Sequence, residues 1–334
     1  MGYVDIGEKR IGVKDGVYVV AEIGFNHEGD MDLAMRMIES AAGAGVDAVK
    51  FQTYQAASLV LESAEHFRVI KGGELSLEDH QRLAQAAQAC GAAFLSTPFS
   101  RESVDILEKV NVPAYKVASM DVTNLPLLRY IGRTGKPVLL STGMATLGEI
   151  AEAIEAVAQT GNRQVILLHC ISKYPAVPDE IHLRTIQRLR EAFGLPVGYS
   201  DHTLGNATAL AAVALGACVI EKHFTTDKTL PGPDHKISAD PKQIAALVRE
   251  IRVVEQSLGD GDAISRRPDR DAARLFRRGL FAKVDIPAGT MITEAMIKCV
   301  RPEQGLPPKC WDLVIGRTAK ADIKKESPIT WDLV

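Results

Sequence analysis

Eight short apolar runs recur from residue 17 onward, and this alternation restricts the fold more than any other feature of the chain. The runs cover residues 17–23, 48–52, 93–96, 114–118, 137–141, 164–169, 196–199 and 219–223. Segments with helical spacing lie between or after them, at 31–44, 77–89, 146–160, 181–193, 206–217 and 241–258. The last begins with Asp240-Pro241, an N-cap followed by proline at the first helical position. Parallel strands joined by crossover helices must be covered on both faces. Eight such units within about 260 residues therefore predict a closed (β/α)8 TIM barrel rather than an open doubly wound sheet.

In such a barrel the carboxyl ends of the strands build the site. Two neighbouring runs end in GYSDHT (198–203) and IEKHFT (220–225), which would set His202 beside His223, each next to an acid, Asp201 or Glu221. A single histidine at a strand end reads as a hydrogen-bonded structural residue. Two at matching ends suggest a divalent metal with open positions. The other strand ends carry lysines and small hydroxyls: Lys50, Thr97, Lys116, Ser119, Ser141 and, beside the histidines, Ser200. Ammonium groups supply charge and hydroxyls supply directed donors, so this ring predicts a cradle for phosphate and carboxylate. Alternation along a strand places Gln52 on the same face as Lys50. Glu28 and His169 read as structural or supporting residues, and His235 is open between that and a role at the site.

The chain has 334 residues, of which 46% are hydrophobic, and a formal charge of −3. That balance argues against a nucleic-acid-binding face. The five cysteines, Cys90, Cys170, Cys218, Cys299 and Cys310, form no CxxC pair and suggest a reducing compartment. Neither a signal peptide nor a membrane-spanning apolar run is evident, so a cytoplasmic protein without membrane contact is expected. The expected organisation is a barrel over 1–260, a linker over 261–278 and a small β-rich domain over 279–334. The last contains a weak repeat: 282–286 leads to Ile292-Thr293 as 319–323 leads to Ile329-Thr330.

With these residues in view, the chain resembles the sialic acid synthase family: N-acetylneuraminate synthases and their legionaminate and pseudaminate relatives. The likeness runs through AEIGFNHEG (21–29), VKFQT (49–53), FLSTPFS (94–100), AYKVAS (114–119), LSTGM (140–144), the two histidine motifs and LPGPDH (230–235). The end of the chain resembles an antifreeze-like (SAF) domain. The resemblance implies condensation of phosphoenolpyruvate with an open-chain N-acylated hexose and water, giving a nine-carbon 2-keto acid and phosphate. It implies Mn2+ or Mg2+ on His202 and His223. It implies phosphoenolpyruvate on Lys50, Thr97, Ser119, Ser141, Ser172 and Ser200, with Lys116 adding charge, and the sugar on Gln52, Tyr174 and Asp234. Glu22 or Asp121 would handle the water. Arg301 would reach the N-acyl group from a partner subunit, in a domain-swapped homodimer. Two departures bear on the sugar and its neighbours: Ser172 stands where neuraminate-forming relatives have asparagine, and Arg301 is followed by Pro-Glu-Gln-Gly-Leu.

The same residues bear on other classes. A Schiff-base aldolase would use Lys50, Lys116 or Lys222 as nucleophile without metal. A metal-dependent hydrolase would be expected to carry HxH on the first strand, where this chain has Glu22-Ile23-Gly24. A non-catalytic carbohydrate- or ice-binding role would leave the ring of lysines and hydroxyls without a purpose.

Overall fold

The computed structural model describes residues 2–259 and 269–334. The chain divides into two compact units, Met1–Leu258 and Gly259–Val334. The first opens with a hairpin, β1 (Val4–Ile6) and β2 (Lys9–Ile11), ahead of the alternating region. Eight parallel strands follow: β3 (Tyr18–Gly24), β4 (Ala48–Thr53), β5 (Ala93–Pro98), β6 (Tyr115–Val117), β7 (Val138–Ser141), β8 (Val165–Cys170), β9 (Val197–Asp201) and β10 (Val219–His223). They pair in chain order, and β10 closes on β3, so the expected TIM barrel is observed.

Alternation explains what fills it. On β3, Val19, Ala21 and Ile23 pack outward under the helices, whereas Tyr18 and Val20 enter an inner cluster with Ala48, Leu95, Ala114, Leu139, Ile166, Leu168 and Val219. Val4, Ile6 and Ile11 of the hairpin join this inner cluster, covering the amino-terminal end of the barrel with apolar surface. The hairpin was not anticipated: three-residue strands are too short to show a period.

Most expected helices form close to their sequence limits: α1 (Met31–Gly43), α4 (Leu77–Ala89), α7 (Leu147–Ala158) and α10 (Pro241–Leu258). Their starts have local causes. Asp30 accepts from the Asp32 and Leu33 amides, and Ser76–Asp79 and Thr146–Glu149 form reciprocal capping boxes. Two expectations shorten. The helix expected over 181–193 begins at Thr185 as α8 (Thr185–Phe193), after a tight turn at Pro178–Glu180. That expected over 206–217 is α9 (Ala207–Ala214), ended by Gly216 in the left-handed region. Four further helices, α2 (Ala56–Leu59), α3 (Phe67–Gly72), α5 (Arg101–Val110) and α6 (Leu125–Gly132), complete the connections. No helix among the described residues is long and apolar enough to cross a membrane.

In the second unit the two halves of the sequence repeat face each other. Ile286 and Ile323 exchange backbone hydrogen bonds of 2.8 Å in both directions. The equivalent pairs Ala282/Ala319, Ile286/Ile323 and Ile292/Ile329 are all buried in one core. Its strands are β11 (Gly279–Ala282) and β12 (Ile297–Val300). The expected linker falls partly on 261–268, outside the described residues. Its later portion holds α11 (Arg270–Phe276), favoured by alanine, leucine and arginine.

Gly198 sits on β9 where no side chain fits. A methyl there would lie 2.7 Å from Leu168 Cδ2, Val219 Cβ and the Val219 carbonyl oxygen. Gly198→Ala is therefore expected to cost the barrel about 1–3 kcal/mol through overpacking, read as a lower urea midpoint.

Candidate active site

The same inward face that is apolar low in the barrel turns polar at the carboxyl ends. There Glu22, Lys50, Thr97, Lys116, Ser141, Ser200, Glu221 and their neighbours line a cavity of about 350 Å³. Its floor is a buried set of four charges. Lys50 Nζ lies 2.5 Å from Glu22 Oε2 and 3.6 Å from Glu221 Oε2, and donates to Thr97 Oγ1 at 3.1 Å. Lys116 Nζ lies 3.6 Å from Glu221 Oε1, which also accepts from Ser200 Oγ at 2.8 Å.

The two acids are pushed apart. Burial raises Glu22 to about 7; Lys50 offsets this only in part, and Glu221 adds to it. Glu221 resists the same burial because Lys116 and Lys50 both face it and Ser200 donates to it, which holds it down at about 2. Burial works against the Lys50 ammonium, but Glu22 and Glu221 more than compensate and raise it. Lys116 is pulled below its ordinary value, chiefly by burial. Two lysines thus face one firmly ionised carboxylate and one that holds its proton near neutrality, an arrangement with room for an incoming anion.

Hydroxyl and amide groups surround this floor. Gly143 N–H donates to Ser119 Oγ at 3.0 Å, and Cys170 Sγ lies 3.0 Å from the same oxygen. A methyl at Gly143 would stand 2.6 Å from Ser172 Oγ and 2.8 Å from Ser119 Oγ, so only glycine lets the chain approach here. Ser141 Oγ is buried without a protein partner.

At the rim, His202 and His223 approach with ring centroids 5.6 Å apart. His202 Nδ1–H donates to the Ile171 carbonyl at 2.7 Å, which leaves the Nε2 lone pair facing Ser200 Oγ at 3.5 Å, a hydroxyl that donates to Glu221. His223 Nδ1 is buried and unpartnered, 3.9 Å from Asp234 Oδ2. Burial and the neighbouring His202 lower His223 to about 3, and burial lowers His202 as well, so both rings are neutral near pH 7. Neutral imidazoles with an orphaned nitrogen suit a metal ion. Among the described residues, however, no three His, Cys, Asp or Glu side chains converge as a ready-made metal centre. Tyr174 packs over His202 at 4.2 Å and edge-on to His223 at 5.7 Å.

The cavity collects Glu22, Lys50, Gln52, Thr97, Lys116, Ser119, Ser141, Ser172, Tyr174, Ser200, His202, His223 and Asp234 from the sequence-based set. Asp121 does not line it: its Oδ1 accepts from Asn124 Nδ2 at 3.0 Å on the turn Ser119–Asp121. Arg301 belongs to the second unit, where its guanidinium lies 5.4 Å from the Phe276 ring centroid. Glu221 was not assigned a role from sequence, although it stands two residues before His223 and must share its face. Cys170, two residues beyond the inward Leu168, was legible in the same way. His169 points outward, bonding the Ile181 carbonyl at 2.6 Å and stacking on Tyr199.

The NeuB family model matches residues 37–263, and the SAF domain model matches 277–334. The N,N'-diacetyllegionaminic acid synthase of Campylobacter jejuni is 40% identical over 327 residues, covering 93% of this chain and 98% of that protein. The N-acetylneuraminate-9-phosphate synthase of Homo sapiens is 32% identical, covering 97% and 94%. The solved N-acetylneuraminic acid synthetase of Leptospira borgpetersenii superposes with a TM-score of 0.76 at 36% identity, covering 81% of this chain and 98% of that one. A family match over most of the barrel, with relatives aligned nearly end to end, leaves one conclusion: the chain belongs to the NeuB family.

Proposed function

We propose that the protein condenses phosphoenolpyruvate with an open-chain N-acylated hexose and water, forming a nine-carbon nonulosonic acid and phosphate. The observation that carries this reading is the cavity floor, where Lys50 and Lys116 converge with Glu22 and Glu221 beneath a ring of hydroxyls. A phosphate and a carboxylate on one small substrate match the two ammonium groups and the directed donors. Relatives named as nonulosonic acid synthases support the same reaction class. The relatives at 40% and 38% identity are both named legionaminic acid synthases, which favours a 2,4-diacetamido-trideoxyhexose over N-acetylmannosamine as acceptor.

In this reading Lys50, Lys116, Thr97, Ser119, Ser141, Ser172 and Ser200 hold phosphoenolpyruvate, and Gln52, Tyr174 and Asp234 hold the sugar. Arg301 contacts the N-acyl group from the partner subunit of a homodimer. His202 and His223 would hold Mn2+ or Mg2+, which when bound supplies Lewis-acid polarisation of the aldehyde. C3 of phosphoenolpyruvate attacks the aldehyde carbon, whose oxygen takes up a proton to become a hydroxyl, and positive character develops at C2. Water adds at C2 and gives up a proton, and the tetrahedral adduct expels phosphate as the C2 ketone forms. Glu22 is favoured over Asp121 for moving that proton, since it lines the cavity and titrates near neutrality.

EDTA-treated protein given phosphoenolpyruvate is expected to release phosphate only when both Mn2+ and the acceptor sugar are present. His223→Gln should lower the Mn2+-dependent rate by at least about 100-fold. Release that ignores EDTA would remove the two-histidine site from the mechanism. Burial makes Lys116 the better amine for a Schiff base, so borohydride with substrate provides the contrary test. The synthase should remain unlabelled.

Glu22 also predicts a pH dependence of stability. Its folded value, about 7, lies above its ordinary 4.5. The fold therefore keeps a proton that the unfolded chain releases, and stability falls as pH rises through that window. Urea midpoints at about pH 5 and about pH 7.5 should show wild type losing ground to Glu22→Gln at the higher value. Parallel profiles would show that Glu22 is ionised throughout.

A further inference from the structure

A second cavity, of about 230 Å³, lies between the loops that follow β9 and β10, and shares no lining residue with the first. Its cationic residues are Lys222, Lys228 and Lys236, and no carboxylate lines it. Lys222 is 4% exposed. Its ammonium is anchored by Asp201 Oδ2 at 2.6 Å and the Thr203 carbonyl at 2.8 Å. Because Lys222 alternates with Glu221 and His223, this cavity stands on the opposite face of β10 from the charged floor. Among the described residues, Lys228 and Lys236 have no ion-pair partner.

Uncharged donors point the same way. The Gln243 side-chain oxygen accepts from Asp240 N at 3.1 Å, which leaves its amide N–H groups for the cavity. Asn206, at the start of α9, does not cap that helix with its side chain; its amide donates instead to Glu250 at 3.0 Å. The first-turn N–H groups of α9 are thus left uncapped by it, beside a cavity lined by Leu204, Gly205 and Asn206. The loops after the seventh and eighth strands are also where (β/α)8 barrels commonly hold phosphate.

We propose that this cavity binds a phosphate-bearing dianion, either inorganic phosphate or a phosphomonoester, at a site separate from the barrel mouth. Lys228 and Lys236 supply the charge, Gln243 and the α9 terminus supply directed donors, and Lys222 with Asp201 forms the rigid wall. Such a site would let the concentration of phosphate, or of a phosphorylated metabolite, act on the loops that carry His202 and Asp234.

The test counts phosphate sites on the full chain by calorimetric titration with inorganic phosphate at low ionic strength. Lys228→Met/Lys236→Met should bind one phosphate fewer than wild type, or bind it at least about 10-fold more weakly. Lys324→Met/Lys325→Met, with the same loss of net charge in the second unit, should match wild type. The difference between variants is the readout, so it holds whether or not the barrel mouth itself takes phosphate. A phosphate-release assay tests the synthase reading separately. Displacement of the bound phosphate by glucose 6-phosphate would assign the site to phosphomonoesters at large. Failure to displace it would restrict the site to inorganic phosphate. Equal counts and affinities in wild type and the Lys228/Lys236 variant, or equal losses in both double variants, would overturn the proposal.

Discussion

Closing eight parallel strands into a barrel forces every second side chain into a shared interior, and the site depends on how that interior changes along its axis. Low in the barrel the inward residues include Val20, Ala48, Leu95, Leu139 and Val219, sealed by the Val4–Ile11 hairpin. Two residues further along the same strands they become Glu22, Lys50, Thr97, Ser141 and Glu221. The apolar half provides a rigid, dry base. The polar half inherits its low dielectric, which is why burial and its neighbours push Glu22 up while the two lysines hold Glu221 down.

That separation gives the floor its character. A buried carboxylate flanked closely by two lysines stays ionised; one flanked mainly by a single lysine and facing another acid is pushed up toward neutrality. Such a floor is costly to assemble without a ligand, because each charge has left water and only imperfect pairs compensate. In the proposed reaction an anionic substrate completes the pairing. The outward faces of β9 and β10 repeat the theme with Asp201 and Lys222, whose direct ion pair lies one residue before each rim histidine. Rim and floor are therefore tied to the same two strands.

Much of this was legible in the chain. The eight runs located every barrel strand, because both faces of a parallel strand are buried and the runs stay apolar. Most strand-end residues singled out by charge and hydroxyl content line one cavity, since parity decides facing once a strand is located. Glu221 obeys the same parity, two residues before His223 on the inward face of β10. The hairpin at Val4–Ile11 gave no comparable signal, its strands being too short for a period. Asp121 was placed by resemblance, and the turn at Ser119–Asp121 directs its carboxylate to Asn124 instead.

The sequence by itself determined the barrel, the pseudo-repeat of the second unit and the chemical types gathered at the strand ends. These follow from local periodicity, which needs no knowledge of distant neighbours. Tertiary structure alone decided which acid is ionised, which imidazole nitrogen is free and which lysines line a second cavity. Protonation and pairing depend on distances between residues nearly 200 positions apart, such as Glu22 and Glu221, and those distances exist only once β10 closes on β3.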